Sequence, residues 1–111
     1  QQADLEQYRN NLTSIVEVLK ATKGRLVFAT TTPYPDTVSK PLRSPGMPER
    51  YNQAALSIMK RNGISVNNLH DFVVPRMAIL QRPDNVHFTD TGYEALAEQV
   101  VTAIRAVLPA K

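Results

Sequence analysis

Cysteine and tryptophan are absent from this chain, and histidine occurs only twice. Without cysteine there is no disulfide, no thiolate zinc site and no cysteine nucleophile, and the redox compartment is left open. No apolar run approaches the ~20 residues that a membrane-spanning helix requires, so no membrane span is expected. Charge of one sign does not dominate either: 13 Lys and Arg stand against 10 Asp and Glu, a net +3. The basic residues are scattered, with Arg9, Lys20, Arg43, Arg76 and Arg105 in five different segments and no knot larger than a pair such as Lys60-Arg61. A nucleic-acid-binding surface gathers such residues into one stripe, so no nucleic-acid partner is expected. Gln1-Gln2-Ala3-Asp4 carries no signal-peptide pattern, and the chain is expected to open inside a domain. What remains is ordinary folded composition, 42% hydrophobic and 21% charged over 111 residues, enough for one domain.

Periodicity divides the chain into alternating elements. Leu5, Tyr8, Leu12, Ile15, Val16 and Leu19 recur at spacings of three and four, a helix with one apolar stripe ended by Gly24. Its polar side mixes Asp4, Glu6, Arg9, Glu17 and Lys20, which suits a core-facing helix rather than a membrane-surface one. The run from Arg25 to Thr31 is short and β-branched, the pattern of a buried parallel strand. Five of the eight prolines (Pro33, Pro35, Pro41, Pro45 and Pro48) then break regular structure from Thr32 to Pro48. A loop this long, leaving the C-terminal end of a strand, lies at the edge where open α/β sheets bind ligands.

A second helix is expected from Glu49 to Asn62, with Tyr51, Ala54, Ala55, Ile58 and Met59 inward and Gly63 as its stop. Ile64-Ser65-Val66 is a strand candidate, and Asn67 or Asn68 caps a short helix bearing Leu69, Phe72 and Val73 that Pro75 bends or ends. Gln81 to Phe88 reads as loop. Thr89 or Asp90 caps a last helix with Tyr93, Leu96, Ala97, Val100, Ile104 and Val107 as its stripe. The order α-β-loop-α-β-α-loop-α argues an α/β fold with a parallel sheet. Two strands are too few for four helices, so the chain either packs against another copy or, as we favour, belongs to a larger domain.

The residues that can carry chemistry gather near the second histidine, in Pro83-Asp84-Asn85-Val86-His87-Phe88-Thr89-Asp90-Thr91-Gly92-Tyr93. An aspartate three positions before a histidine in a loop can fold back to accept the Nδ1 proton. That fixes the tautomer and leaves Nε2 to take a proton from a hydroxyl. Asp-x-x-His alone is a weak signal, since most such pairs are capping or surface residues.

The surrounding sequence adds context. These eleven residues and the helix after them resemble the last motif block of the SGNH hydrolases, the GDSL-type esterases and lipases. Asp84 and His87 match its Asp-x-x-His, and Phe88-Thr89 and Gly92-Tyr93 match its continuation into the C-terminal helix. Leu26 to Pro33 resembles the family's fourth strand and following loop; Tyr51-Asn52 and Ile64 to Leu69 resemble the next helix and the fifth strand. The resemblance covers essentially all 111 residues and corresponds to the C-terminal half of the family's domain. It implies a flavodoxin-like three-layer sandwich with a five-stranded parallel sheet, of which this chain supplies two strands and about four helices. It also implies hydrolysis of carboxylic esters, of a lipid or an acylated sugar, with no cofactor and no metal. His87 would act as general base and then acid, and Asp84 would orient it.

The family's other blocks carry a Gly-Asp-Ser nucleophile and a Gly and an Asn that build the oxyanion hole, and this chain lacks all three. Its serines, Ser14, Ser39, Ser44, Ser57 and Ser65, stand in no such context, and Asn52, Asn67 and Asn68 lie in other segments. The implied partner is therefore a complementary N-terminal half or a second copy, possible by domain swapping; the alternative is a non-catalytic binding or dimerising module on the same scaffold. Many relatives are exported, which slightly favours a periplasmic or extracellular setting.

The remaining polar and aromatic residues carry simpler readings. His70 is expected to be a surface or helix residue, and Asp71 and Asp90 structural, Asp90 as helix N-terminal charge. Asp84, His87 and Asp90 give too few ligands for a metal. Thr30-Thr31-Thr32 reads as a strand end whose hydroxyls satisfy nearby backbone. Tyr34, Val38, Leu42 and Met47 either line an acyl-binding wall or fold back on the surface, and Tyr51, Phe72 and Tyr93 are core or partly buried.

Overall fold

The first helix forms where its cap and stripe coincide. In the computed structural model, which describes residues 4–34, 46–83 and 86–109, α1 spans Leu5–Ala21. Asp4 caps it by accepting the Gln7 N–H at 2.7 Å. The helix ends earlier than Gly24 suggests: Thr22 Oγ1 donates to the Leu19 carbonyl and accepts from Gly24 N–H, and Lys23 takes the left-handed conformation at φ 62°. Of the expected stripe only Val16 is buried, while Ile15 and Leu19 are exposed.

The strands are three residues each. β1 (Val27–Ala29) pairs in parallel with β2 (Ser65–Asn67), Val27 opposite Ser65 and Ala29 opposite Asn67. Between them α2 runs from Met47 to Arg61, starting two residues before Glu49 because Gly46 turns the chain at φ 79° and Pro48 fits the first helical turn. Ala54, Ala55, Ile58 and Met59 are buried as expected, and Gly63 at φ 65° completes the stop. This strand–helix–strand unit makes the chain α/β with a parallel sheet.

After β2, Asn68 accepts the Asp71 N–H and opens α3 (Leu69–Val73). Pro75 ends it in a 3-10 turn over Val74–Arg76, and a further short helix, α4 (Met77–Leu80), follows where none was expected. The last helix, α5 (Asp90–Val107), is capped by Thr89 and lies against both strands and α4. Its C-terminal end is tied down by Arg25, which donates to the Val107 carbonyl at 2.9 Å.

Burial divides between two small clusters. Val16, Ile58 and Met59 join α1 to α2, with Phe28 of β1 packed against them. Val73, Leu80 and Phe88 form the second, under Leu96 of α5. The stripe of α5 is less covered than expected: Val100, Ile104 and Tyr93 are exposed, Tyr93 at 47%. Tyr93 still meets Phe88 edge-on, with ring centroids 5.8 Å apart.

Candidate functional site

Residues that follow the C-terminal ends of β1 and β2 carry a network of side-chain hydrogen bonds, at the edge where open α/β sheets bind ligands. Thr30 donates its N–H to the Asn67 carbonyl, extending the pairing of the two strands. Thr31 is then held by a two-way bond to the buried side chain of Asn52, N–H to Oδ1 and Nδ2–H to carbonyl, each 2.8 Å. That amide locks the exit of β1 against α2.

The segment carrying His87 is fixed in a similar way. Gln81 and Phe88 form an isolated antiparallel bridge, and Arg82 N–H donates to the His87 carbonyl at 2.9 Å. The Arg82 Nε–H adds a bond to the Phe88 carbonyl. Gln81, buried, donates from Nε2 to the Pro33 carbonyl at 2.7 Å and to the Val86 carbonyl at 3.3 Å. One side chain thereby ties the residues after β1 to the histidine-bearing loop. His87 itself is exposed at this edge. Asp84, its expected partner, lies outside the described residues, as do Val38 and Leu42.

Beside this loop is a pocket of about 320 Å³, with walls from Tyr8 of α1, Thr31 to Tyr34, Met47 and Tyr51 of α2, and Val86. Tyr34 and Met47 thus line a cavity. Tyr8 and Tyr51 meet edge-on with centroids 4.9 Å apart. Burial, then the neighbouring Tyr51, pushes the Tyr8 hydroxyl above its ordinary pKa, so it stays protonated at neutral pH.

His70 is a helix residue of α3, as one of its two expected readings had it, but not a surface one. It is buried, 8% exposed, and its ring is bracketed by two carboxylates. Nε2 lies 2.8 Å from Glu49 Oε2 and Nδ1 3.0 Å from Asp71 Oδ1. Its backbone N–H donates to Thr30 Oγ1, whose own hydroxyl donates to Asn68 Oδ1. Burial by itself lowers the imidazole pKa, but the bonds to Asp71 and Glu49 and their charges outweigh it and raise the value. For Glu49 burial raises the carboxyl pKa, and the His70 bond and charge more than reverse that. The two carboxylates sit on opposite ring nitrogens, and among the described residues no group of such side chains is arranged to hold a metal ion. The local signal was Asn68-Leu69-His70-Asp71, which sets the ring just past a strand end; Glu49, 21 positions earlier, gave none. Asp71 is a ring partner as well as a first-turn residue, whereas Asp90 is the exposed acidic residue of the first turn of α5.

No helix among the described residues is long and apolar enough to cross a membrane. No family model and no curated protein matches the sequence. Among solved structures the chain is similar to a serine-to-alanine mutant of esterase AlinE4, with a TM-score of 0.49 and 20% identity over 96% of this chain. It spans about half of that structure, 53%.

Proposed function

We propose that the chain is the C-terminal part of a single SGNH-type hydrolase domain and supplies the Asp–His arm of a Ser-His-Asp triad acting on carboxylic esters. His87 takes the proton from a serine hydroxyl and returns it to the leaving alcohol, and Asp84 orients the ring and stabilises its charged form. The serine and the oxyanion hole come from outside these 111 residues, from an N-terminal half that completes the five-stranded sheet. The substrate is a small ester, of a lipid or an acylated sugar, and neither metal nor cofactor takes part.

The observation that carries this reading is the loop geometry. His87 is exposed on a loop that Gln81 pins to the exit of β1, next to a pocket of about 320 Å³. That volume is at the lower end of the roughly 300–1,000 Å³ usual for small-ligand sites. The motif residues Phe88, Thr89 and Gly92 bind this loop to α5 and α4.

The test is hydrolysis of p-nitrophenyl acetate by the protein together with its Gly-Asp-Ser segment. His87→Ala is expected to lower kcat by about 10³-fold or more, since loss of a triad member removes most of a serine hydrolase's acceleration. Asp84→Asn is expected to lower it by a comparable factor with KM little changed. The 111-residue chain alone should not exceed its own His87→Ala variant by more than about threefold, for want of a nucleophile. A His87→Ala loss below threefold in the complete protein overturns the reading.

A further inference from the structure

The ester-hydrolase reading leaves the buried ring of His70 without a task, although both of its nitrogens are bonded. A carboxylate only accepts hydrogen bonds, and both ring nitrogens face one, Glu49 at 2.8 Å and Asp71 at 3.0 Å. Both bonds exist together only if both nitrogens carry protons, which is the charged imidazolium. A neutral ring sets one lone pair against a carboxylate oxygen, and one of the two bonds is lost.

The two bonds differ in what else holds their partners. Asp71 is adjacent in sequence, and its second oxygen accepts from Asn68 Nδ2 at 3.0 Å. Glu49 reaches the ring from the first turn of α2, and its side chain is half exposed. Loss of the proton therefore parts two elements only on the Glu49 side, since Asp71 stays on α3 beside the ring whichever bond is lost. Glu49 stands between Pro48 and Tyr51, which with Met47 form the α2 wall of the pocket beside the His87 loop. The Thr30 hydroxyl accepts the His70 backbone N–H, which ties the start of α3, not the ring, to the end of β1.

We infer that His70 is a proton-operated positioning residue: charged, it clasps the N-terminus of α2 and holds residues 47–51 as the pocket wall; neutral, it releases them. The inference rests on the reading of that pocket as the ester site and adds its regulation by pH. The charged groups that face the ring are Glu49 from α2 and Asp71 from α3; Arg50 of α2 lines, with Glu49, His70 and Asp71, a second cavity separate from the one beside the His87 loop, and Thr30 at the exit of β1 is neutral. The raised imidazole pKa puts the change above the ordinary histidine value of 6.5.

Nuclear magnetic resonance of the 111-residue chain across pH tests it without need of catalysis. The His70 ring is expected to titrate above 6.5, and the Met47 and Tyr51 amides to shift with the same midpoint. In Glu49→Gln the side-chain amide donates to a neutral Nε2, so the clasp survives deprotonation; the ring midpoint falls and the amide response is lost. His70→Asn gives the same loss of response and serves should Glu49→Gln not fold. Amides at Met47 and Tyr51 that ignore the ring's titration, or that follow the wild-type profile in either variant, overturn the clasp. The His87→Ala chain is expected to titrate as wild type, so a failed hydrolysis test leaves this result standing and counts against the hydrolase reading alone.

Discussion

At the scale of single residues, Glu49 and His70 make stability depend on pH in opposite directions. The imidazole pKa is raised on folding, so its contribution is complete below the ordinary 6.5 and is lost as pH rises through the higher folded value. The Glu49 carboxyl is lowered, so its contribution is complete above the ordinary 4.5 and is lost as pH falls through the lower folded value. Both are whole only between about 4.5 and 6.5, and the melting temperature relative to His70→Asn is expected to peak there. A difference between the two proteins that is flat from pH 4 to 8 contradicts this. The size is modest: the Glu49 side chain is 52% exposed, and so open an ion pair contributes about 1 kcal/mol or less. This pair also marks where the sequence stopped being legible. Asp84 and His87 are three positions apart and can be proposed as a pair from sequence alone, whereas Glu49 and His70 meet only because a strand–helix–strand unit folds α2 over β2.

At the scale of elements, the start of α5 is the most constrained junction. Thr89 Oγ1 accepts the Gly92 N–H at 3.0 Å and donates to the Leu80 carbonyl at 3.0 Å, so one hydroxyl caps α5 and closes the end of α4. Thr89→Ala is expected to cost about 1 kcal/mol in urea unfolding, with Thr89→Ser recovering most of it. Gly92 has no room for a side chain. A Cβ there runs into the Leu80 carbonyl oxygen and comes within 3.1 Å of Phe88 Cβ, and backbone cannot yield as a flexible side chain does. Gly92→Ala is therefore expected to cost at least about 2 kcal/mol despite the better helix propensity of alanine. A neutral or stabilising result means that α4 and α5 are not packed this closely. The periodicity found α1, α2 and α5 because long apolar stripes survive any tertiary context. It missed α4, four residues long, because one turn after a proline carries no period to detect. The end of α1 was misassigned to Gly24 because Thr22 supplies a side-chain bond that lets Lys23 adopt the turn.

At the scale of the whole molecule, the small sheet and the exposed apolar residues around it decide the question of a partner. Val18, Ile79 and Leu108 are more than half exposed, and Val101 nearly so, on α1, α4 and α5 and just beyond it. Among the described residues β1 pairs only with β2. Backbone polar groups alternate sides along a strand, and Thr30 N–H points to Asn67 of β2. Phe28 therefore shares that side, and the Val27 and Ala29 amides face the open edge. If an N-terminal half completes the sheet, its last strand must bond to those two amides. Hydrogen exchange separates the cases: in the 111-residue chain Phe28 and Thr30 are expected to be protected while Val27 and Ala29 exchange quickly. Addition of such a half should then protect all four amides. A second copy docking through α5 leaves Val27 and Ala29 unprotected but raises the mass in light scattering. Fast exchange at Phe28 and Thr30 in the isolated chain, recovering only with the added half, means that even the β1–β2 pairing depends on the rest of the sheet, as expected where two three-residue strands have few bonds of their own.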